Sequence, residues 1–223
     1  MTASEGPDVV MKPAVQPQRS DLGEMVEWSR AQPEDAAQMA VVYNHWVTHG
    51  ARVPGVQPTT EQRVRNMIAD FRGRGYPVWC FWSCDVLVGW CSMGPFPWGG
   101  GGTLGTWDLS VYVLPQWVGL GVGAQAVFLA YRQRHVLGFR VLVVWVLRGN
   151  QASRNLAHGV GLQHWGRLPK LVEGSEGLYH DVDLWGCHMD DEVWCARMNR
   201  LAARLERRMG GWMRERRKVS VAQ

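Results

Sequence analysis

The stretch from Val111 to Val127, VYVLPQWVGLGVGAQAV, restricts the fold more than any other part of the chain. Val111, Tyr112 and Val113 are β-branched or aromatic and suit a strand. Pro115 ends that strand, because proline has no N–H to give a sheet. Gly119, Gly121 and Gly123 then alternate ahead of a run that favours helix, AQAVFLAYRQRHVLG. A strand that turns through glycines into a helix is a connection of α/β sheets. It gathers backbone N–H groups at the positive end of a helix dipole, where an anion binds.

Two nucleotide-binding patterns fail here. Gly119, Gly121 and Ala124 meet the spacing of a dinucleotide turn, but the acidic residue due about twenty positions later is missing. The triphosphate loop needs Gly-Lys-Ser or Gly-Lys-Thr after its glycines, and none follows. A glycine turn without a ligand remains open. The charges favour a ligand. Residues 109–172 carry Arg132, Arg134, Arg140, Arg148, Arg154, Arg167 and Lys170, with no Asp or Glu. Such a field suits a polyanion, although a solvated basic face reads the same way. Nucleic acid is disfavoured, since no recognised motif and no aromatic stacking platform accompanies the charge.

The remaining composition sets the frame. A chain of 223 residues suits one domain with tails, and 46% hydrophobic with 20% charged residues fits a globular fold. No apolar run reaches the roughly eighteen residues of a membrane span, and the N-terminus lacks the pattern of a signal peptide, so the expected location is cytoplasmic. Cys80, Cys84, Cys91, Cys187 and Cys195 show neither disulfide nor zinc spacing, which predicts small core residues and no metal. The thirteen tryptophans are spread along the whole chain and predict core and interface packing rather than one site.

Residues 1–24 read as a polar tail broken by Pro7, Pro13 and Pro17. MVEWSRA predicts a strand and QPEDAAQMAVVYNHWVTHG a helix, with Pro33, Glu34 and Asp35 in its first turn and Gly50 at its end. TTEQRVRNMIADFRGRG predicts a second helix capped by Thr59 or Thr60. PVWCFWSC and VLVGWCSMG form a hairpin at Asp85. The strand TWDLSVYVL precedes the glycine join, and RVLVVWVL is a further strand. It is followed by a short helix capped at Asn150 or Ser153, then by strands around Trp165 and LYHDVDLW. The fold class is α/β with a mixed sheet.

In this order the stretches VVYNHWV, YPVWCFWSCDVLVGWCSMGPF, VYVLPQWVGLGVGAQAV, NQASRNLAHGVGLQHWGRL and LYHDVDLW resemble the GNAT superfamily of N-acetyltransferases, in its phosphinothricin acetyltransferase-like branch. The resemblance covers about Val26 to Trp185 and implies a domain over 25–189 with a mixed, splayed central sheet flanked by helices. It implies acetyl-CoA as co-substrate, held between two central strands. The pyrophosphate is then expected on the amides of Val118, Gly119, Leu120, Gly121, Val122 and Gly123. The pantetheine arm runs along Val111, Tyr112 and Val113, with Asn150 bonding it from the side.

Some positions depart from the branch. Val118 stands where the family usually has Arg or Gln, a loss that implies coenzyme binding weaker by about tenfold or more unless another arginine compensates. Ala157 replaces the tyrosine that many members use to protonate the leaving thiolate. RVPGV and WGGGGTLGTW lack the residues expected to clamp the carboxylate of phosphinothricin, so that substrate is not expected. Asp108 matches the catalytic-strand glutamate of the branch and is the expected general base, a role that amine attack on a thioester requires. A strand-start carboxylate paired with an arginine is the alternative. His180, with Asp181 in YHDV, is the second catalytic candidate; His45 reads as a core histidine.

Beyond the resemblance, 190–223 predicts a basic amphipathic C-terminal helix and tail. Trp194, Met198, Leu201, Leu205 and Trp212 make an apolar stripe. Nine Arg and Lys between Arg197 and Lys218 face Glu206 and Glu215. The helix is expected to pack on the domain or on a partner in a homodimer. The expected function is acetyl-CoA-dependent N-acetylation of a small-molecule amine. The alternative is a module of the same fold that binds a CoA-type ligand or a partner without turnover.

Overall fold

The computed structural model describes residues 26–48, 57–97, 99–174, 177–209 and 215–216. The expected N-terminal tail, the RVPGV segment, Gly50 and Trp212 lie outside them. β1 (Glu27–Arg30) passes through a 3-10 turn at Pro33–Asp35 into α1 (Ala36–Thr48). The Gln32 N–H donates to the Asp35 carboxylate at 2.7 Å and closes that entry. α2 (Glu61–Gly73) starts at Thr60, whose hydroxyl accepts from the Arg63 N–H at 3.3 Å. Thr59 has another task. Its N–H and carbonyl bond the Asn44 side chain at 2.7 and 2.9 Å, which ties α1 to the start of α2.

The hairpin of β2 (Val78–Ser83) and β3 (Val86–Pro95) turns at Cys84 and Asp85, with Cys84 in the left-handed region at φ 51°. Then follow β4 (Thr106–Val113), α3 (Val122–Leu137), β5 (Val141–Leu147), α4 (Gln151–Gly159), β6 (Gln163–Glu173), β7 (Tyr179–His188) and α5 (Glu192–Met209). The sheet order is β1-β2-β3-β4-β5-β7-β6. Every neighbouring pair is antiparallel except β4 with β5, which is parallel and therefore needs the α3 crossover.

β2 and most of β3 are buried on both faces, which explains their near-continuous apolar sequence. Trp79, Phe81, Leu87 and Met93 fill this centre with Met39 and Val42 of α1 and Val122 and Val127 of α3. Trp107 of β4 stacks on Phe139 at 5.6 Å. Cys80, Cys91 and Cys187 are buried free thiols; Cys84 is exposed and Cys195 half-buried, so the core expectation holds for three of the five. Among the described residues no helix is long and apolar enough to cross a membrane, and no group of three His, Cys, Asp or Glu could hold a metal.

The C-terminal extension packs on the domain, as its apolar stripe predicts. Trp194 meets Tyr131 of α3 edge-on at 5.3 Å, and its indole N–H donates to the Val160 carbonyl at 3.1 Å. Met198 is fully buried. Farther on, Arg216 reaches the opposite edge of the sheet. Its N–H donates to the Trp28 carbonyl of β1, and its guanidinium bonds the Cys84 carbonyl and the Asp85 carboxylate, each at 2.7 Å.

Gly89 of β3 sets how closely β4 can approach. A Cβ there would lie 2.7 Å from the Tyr112 carbonyl oxygen and 3.3 Å from the Val113 Cα. Gly89→Val is expected to displace the end of β4 and destabilise the fold by about 1–3 kcal/mol, read as a lower midpoint in urea.

Candidate active site

β4 and β5 start as a ladder and then separate. Thr106 pairs with Val141, Trp107 with Leu142 and Asp108 with Val143; the ladder has no further rung, although β4 runs on to Val113 and β5 to Leu147. The facing main-chain edges of Leu109–Val113 and Val144–Leu147 therefore lack each other as partners. Buried main-chain polar groups need partners, so this wedge suits an extended ligand that carries its own amides.

A cavity of about 500 Å³ opens along β4 and the glycine join. Val111, Tyr112, Val113, Val118, Gly119, Gly121, Gly123 and Asn150 line it, which brings together eight of the ten positions expected to hold the coenzyme. Leu120 lies beside them, half-buried, and Val122 is buried in the first turn of α3. Gly119 and Gly121 have φ of 80° and 100°, and Gly121 is the N-cap of α3. Side chains are strained in that conformation, which accounts for glycine at both. The amides of Val122, Gly123 and Ala124 have no carbonyl one turn back within α3, so they present the positive end of the helix to the cavity. Two of the six expected amides are engaged inside the turn: Val118 donates to Pro115 at 3.1 Å and Leu120 to Trp117 at 3.4 Å. Gly123 also allows close approach of α4, since a Cβ there would lie 2.7 Å from Leu156.

Asn150 is the N-cap of α4. Its side-chain oxygen accepts from the Ser153 N–H at 3.1 Å, and the residue borders both this cavity and a second one of about 240 Å³. The second cavity occupies the apex of the wedge, where Asp108, Ser110, Tyr112 and Trp145 line it. Asp108 is the last paired residue before the strands part. Burial pushes its carboxyl up to about 6, against the pull of its own backbone amide. Among the described residues no arginine or lysine forms an ion pair with it. Period-two alternation puts Ser110 and Tyr112 on the same face as Asp108. Tyr112 lies between Trp90 at 4.3 Å and Tyr43 at 5.3 Å; burial first, then the Tyr43 phenol, pushes its hydroxyl up to about 12.

His180 sits elsewhere. It pairs with Val172 at the start of β7, packs against Gly174, and lines neither cavity. Its neighbour Asp181 accepts from the Lys170 N–H at 3.0 Å and pairs with Arg148 at 3.3 Å, contacts that hold its carboxyl below the usual range. Asp183 is buried against Arg167 at 2.9 Å, His164 at 3.2 Å and Arg154 at 3.8 Å. Burial alone would raise its carboxyl, but Arg167 and His164 outweigh that and lower it. The acid-free window 109–172 is thus not acid-free in space. Two carboxylates from β7 neutralise part of it, so the field at the glycine join is weaker than the linear count implies.

Three lining residues escape the sequence patterns. Trp46 of α1 lines the larger cavity and donates its indole N–H to the Val113 carbonyl at 2.8 Å, which fixes the end of β4. Trp145 stacks on Phe96 at 5.7 Å beside the apex. Leu201 of α5 also lines the larger cavity. The helical stripe marks Leu201 as apolar, but nothing in its spacing says what it faces.

The raised Asp108 carboxyl carries a stability consequence. The folded state holds this proton more tightly than the unfolded chain, whose carboxyl titrates near 3.8. Stability therefore falls as pH rises through the range from about 4 to 6, and the deficit is complete above it. Asp108→Asn is expected to melt at roughly 2–5 °C above the wild type near neutral pH, with the gain vanishing near pH 4. A variant less stable at neutral pH would show a structural role for the charge.

The acetyltransferase (GNAT) family model matches residues 40–162, more than half of the chain. The chain is 30% identical over 166 residues to the L-amino acid N-acyltransferase MnaT of Escherichia coli, covering 73% of this chain and 94% of the relative. Among solved structures it resembles yncA of Salmonella typhimurium, determined with its cofactor acetyl-CoA, at a TM-score of 0.68 and 24% identity over 76% of this chain and 96% of that one. It also resembles a phosphinothricin acetyltransferase of Sinorhizobium meliloti in complex with acetyl-CoA, at a TM-score of 0.67 and 18% identity over 74% and 88%. At these identities the two structures speak to the fold. The diverging strands, the glycine join and the sequence match agree: the chain belongs to the acetyltransferase (GNAT) family.

Proposed function

We propose that the chain transfers an acetyl group from acetyl-CoA to the amine of a small molecule, with Asp108 as general base. The observation that carries this reading is the join of two cavities at one wedge, with Asn150 and Tyr112 bordering both. Three features support the fit of the coenzyme. They are the unpaired edges of β4 and β5, the helix N-terminus at Gly121, and the two left-handed glycines. When bound, acetyl-CoA supplies the activated acyl group. The chain supplies the rest: the α3 amides hold negative charge, β4 aligns the arm, and Asp108 takes a proton from the amine directly or through one water. A base that titrates near 6 is mostly ionised at neutral pH and still basic enough to assist. The name of the Escherichia coli relative, an L-amino acid N-acyltransferase, supports an acceptor of small amine type. His180 is retained as a positioning group on β7 at most, given its distance along the sheet from the apex.

The homodimer belongs to the same proposal. β6 is an edge strand of eleven residues, and Trp165, Leu171, Leu178 and Tyr179 lie exposed on or beside it. Edge strands with apolar surface favour a second copy. Sedimentation equilibrium should give twice the chain mass, and a Leu171→Lys, Tyr179→Lys variant should sediment as a monomer.

The test of turnover uses release of the CoA thiol across a panel of small amines. Wild type should give a kcat/KM profile whose ascending limb has its midpoint near 6. Asp108→Asn should bind acetyl-CoA with unchanged affinity while kcat falls about 10²–10⁴-fold, and the limb should flatten. Normal turnover with an unchanged profile would remove Asp108 as the base. Binding of the coenzyme by the wild type without thiol release from any amine would favour a binding module instead.

A further inference from the structure

The part of the chain beyond the family match reaches into the coenzyme cavity. That match ends at residue 162, whereas Leu201 of α5 lines the same cavity as Gly119, Gly121 and Asn150. Several contacts hold the helix in place. The Trp194 indole bonds the Val160 carbonyl, and the Arg197 guanidinium donates to the carbonyls of His158 and Gly159 at 3.2 and 3.0 Å, the last residues of α4. Gly161, at φ 82°, lies directly beneath Arg197: a Cβ there would come within 2.6 Å of the Arg197 Cδ. Position 161 is therefore glycine for two reasons, and α5 is seated on the end of α4 rather than resting near it.

Arg197, Leu201 and Arg204 stand at spacings of four and three, so they share one flank of α5. The first of them grips α4 and the second lines the cavity. The third comes one turn later, is exposed, and has no carboxylate partner among the described residues. Arg200 is exposed beside it. Between Arg197 and Arg208 the chain carries five arginines against Glu206. This concentration matters because Arg148, Arg154 and Arg167 are already turned to Asp181 and Asp183.

The direction of the cavity says what those charges would meet. The acyl end of the site is the smaller cavity at the Asp108 apex, which the larger cavity adjoins at Tyr112 and Asn150, and the glycine join, where the pyrophosphate fits, lines the larger one. Beyond the join, α4 from Ala152 to Gly159 and Leu201 of α5 also wall the larger cavity. We propose that α5 recognises the phosphorylated adenosine end of coenzyme A, with Leu201 packing against the ligand and Arg204 meeting the 3′-phosphate. This rests on the coenzyme assignment made above. A 3′-phosphate is a dianion with a geometry that a guanidinium matches in two parallel hydrogen bonds.

Calorimetry with CoA and 3′-dephospho-CoA tests the proposal on the full chain. Wild type should bind CoA about tenfold more tightly than the dephospho form at low ionic strength, and the preference should shrink as salt is added. Arg204→Gln should bring CoA down to the affinity of 3′-dephospho-CoA while leaving the latter unchanged; Arg204→Lys should keep part of the preference. Leu201→Ala should weaken both ligands alike. Melting curves confirm that each variant is folded, and Arg200→Gln combined with Arg204→Gln provides a second removal of charge. Equal affinity for the two ligands in the wild type, or a preference that survives the double substitution, would overturn the role of α5 while leaving the coenzyme assignment intact. Failure of the folded wild type to bind either ligand would overturn both.

Discussion

The separation of β4 from β5 after Asp108 is the constraint on which the rest of the structure depends. Two adjacent parallel strands ordinarily satisfy each other along their whole length, and here they do so for three residues only. Leaving main chain unpaired inside a domain costs free energy, so the surroundings must hold the strands apart. β4 is held from its other side, where seven residues pair with β3 from Trp107 to Val113. At its end the Trp46 indole bonds the Val113 carbonyl and the Leu114 N–H bonds Val88. β5 is likewise held by seven residues of β7. Each arm of the wedge is thus fixed by a ladder on its outer edge, and neither ladder needs the other to persist.

Chemistry follows from where the arms meet. A carboxylate placed at the last rung is shielded by both strands, and this burial is the main cause of its raised titration. The same residue one position farther along β4 would point to the other face of the sheet. Tyr112 and Tyr43 keep their protons through burial and add no charge beside it. The wedge therefore sets a buried carboxyl of raised titration next to a slot whose other end collects backbone dipoles.

Much of this arrangement was legible in the sequence because it depends on local rules. Proline after β4, glycines at left-handed positions and Asn150 as a helix cap all act within a few residues. Thr60 rather than Thr59 caps α2 because Asn44, fifteen residues away, engages Thr59; that choice needs tertiary contact. β6 gave a weak signal for a similar reason. It is an edge strand with two register shifts against β7, so its residues are mostly exposed and lack clean alternation. His180 and Asp108 both stand on strands, but only the pairing of β7 beyond the end of β5 separates them. No motif carries that information.

The distribution of charge was the least legible feature. A linear window without carboxylates suggested a field centred on the glycine join, yet the fold folds Asp181 and Asp183 back onto its arginines. Asp183 is buried and held by three basic groups from α4 and β6, which makes this cluster a brace between α4 and the sheet rather than an anion site. Fixing α4 fixes Asn150, and hence the second arm of the wedge at the point where the cavities meet. For the proposed coenzyme, anion affinity then has to come from somewhere else. Backbone amides at Gly121 meet part of that need, since Val118 contributes no side-chain charge. The flank of α5 beyond Arg197 carries the exposed Arg200 and Arg204 on either side of Leu201, which lines the cavity, and it belongs to a segment outside the matched family region.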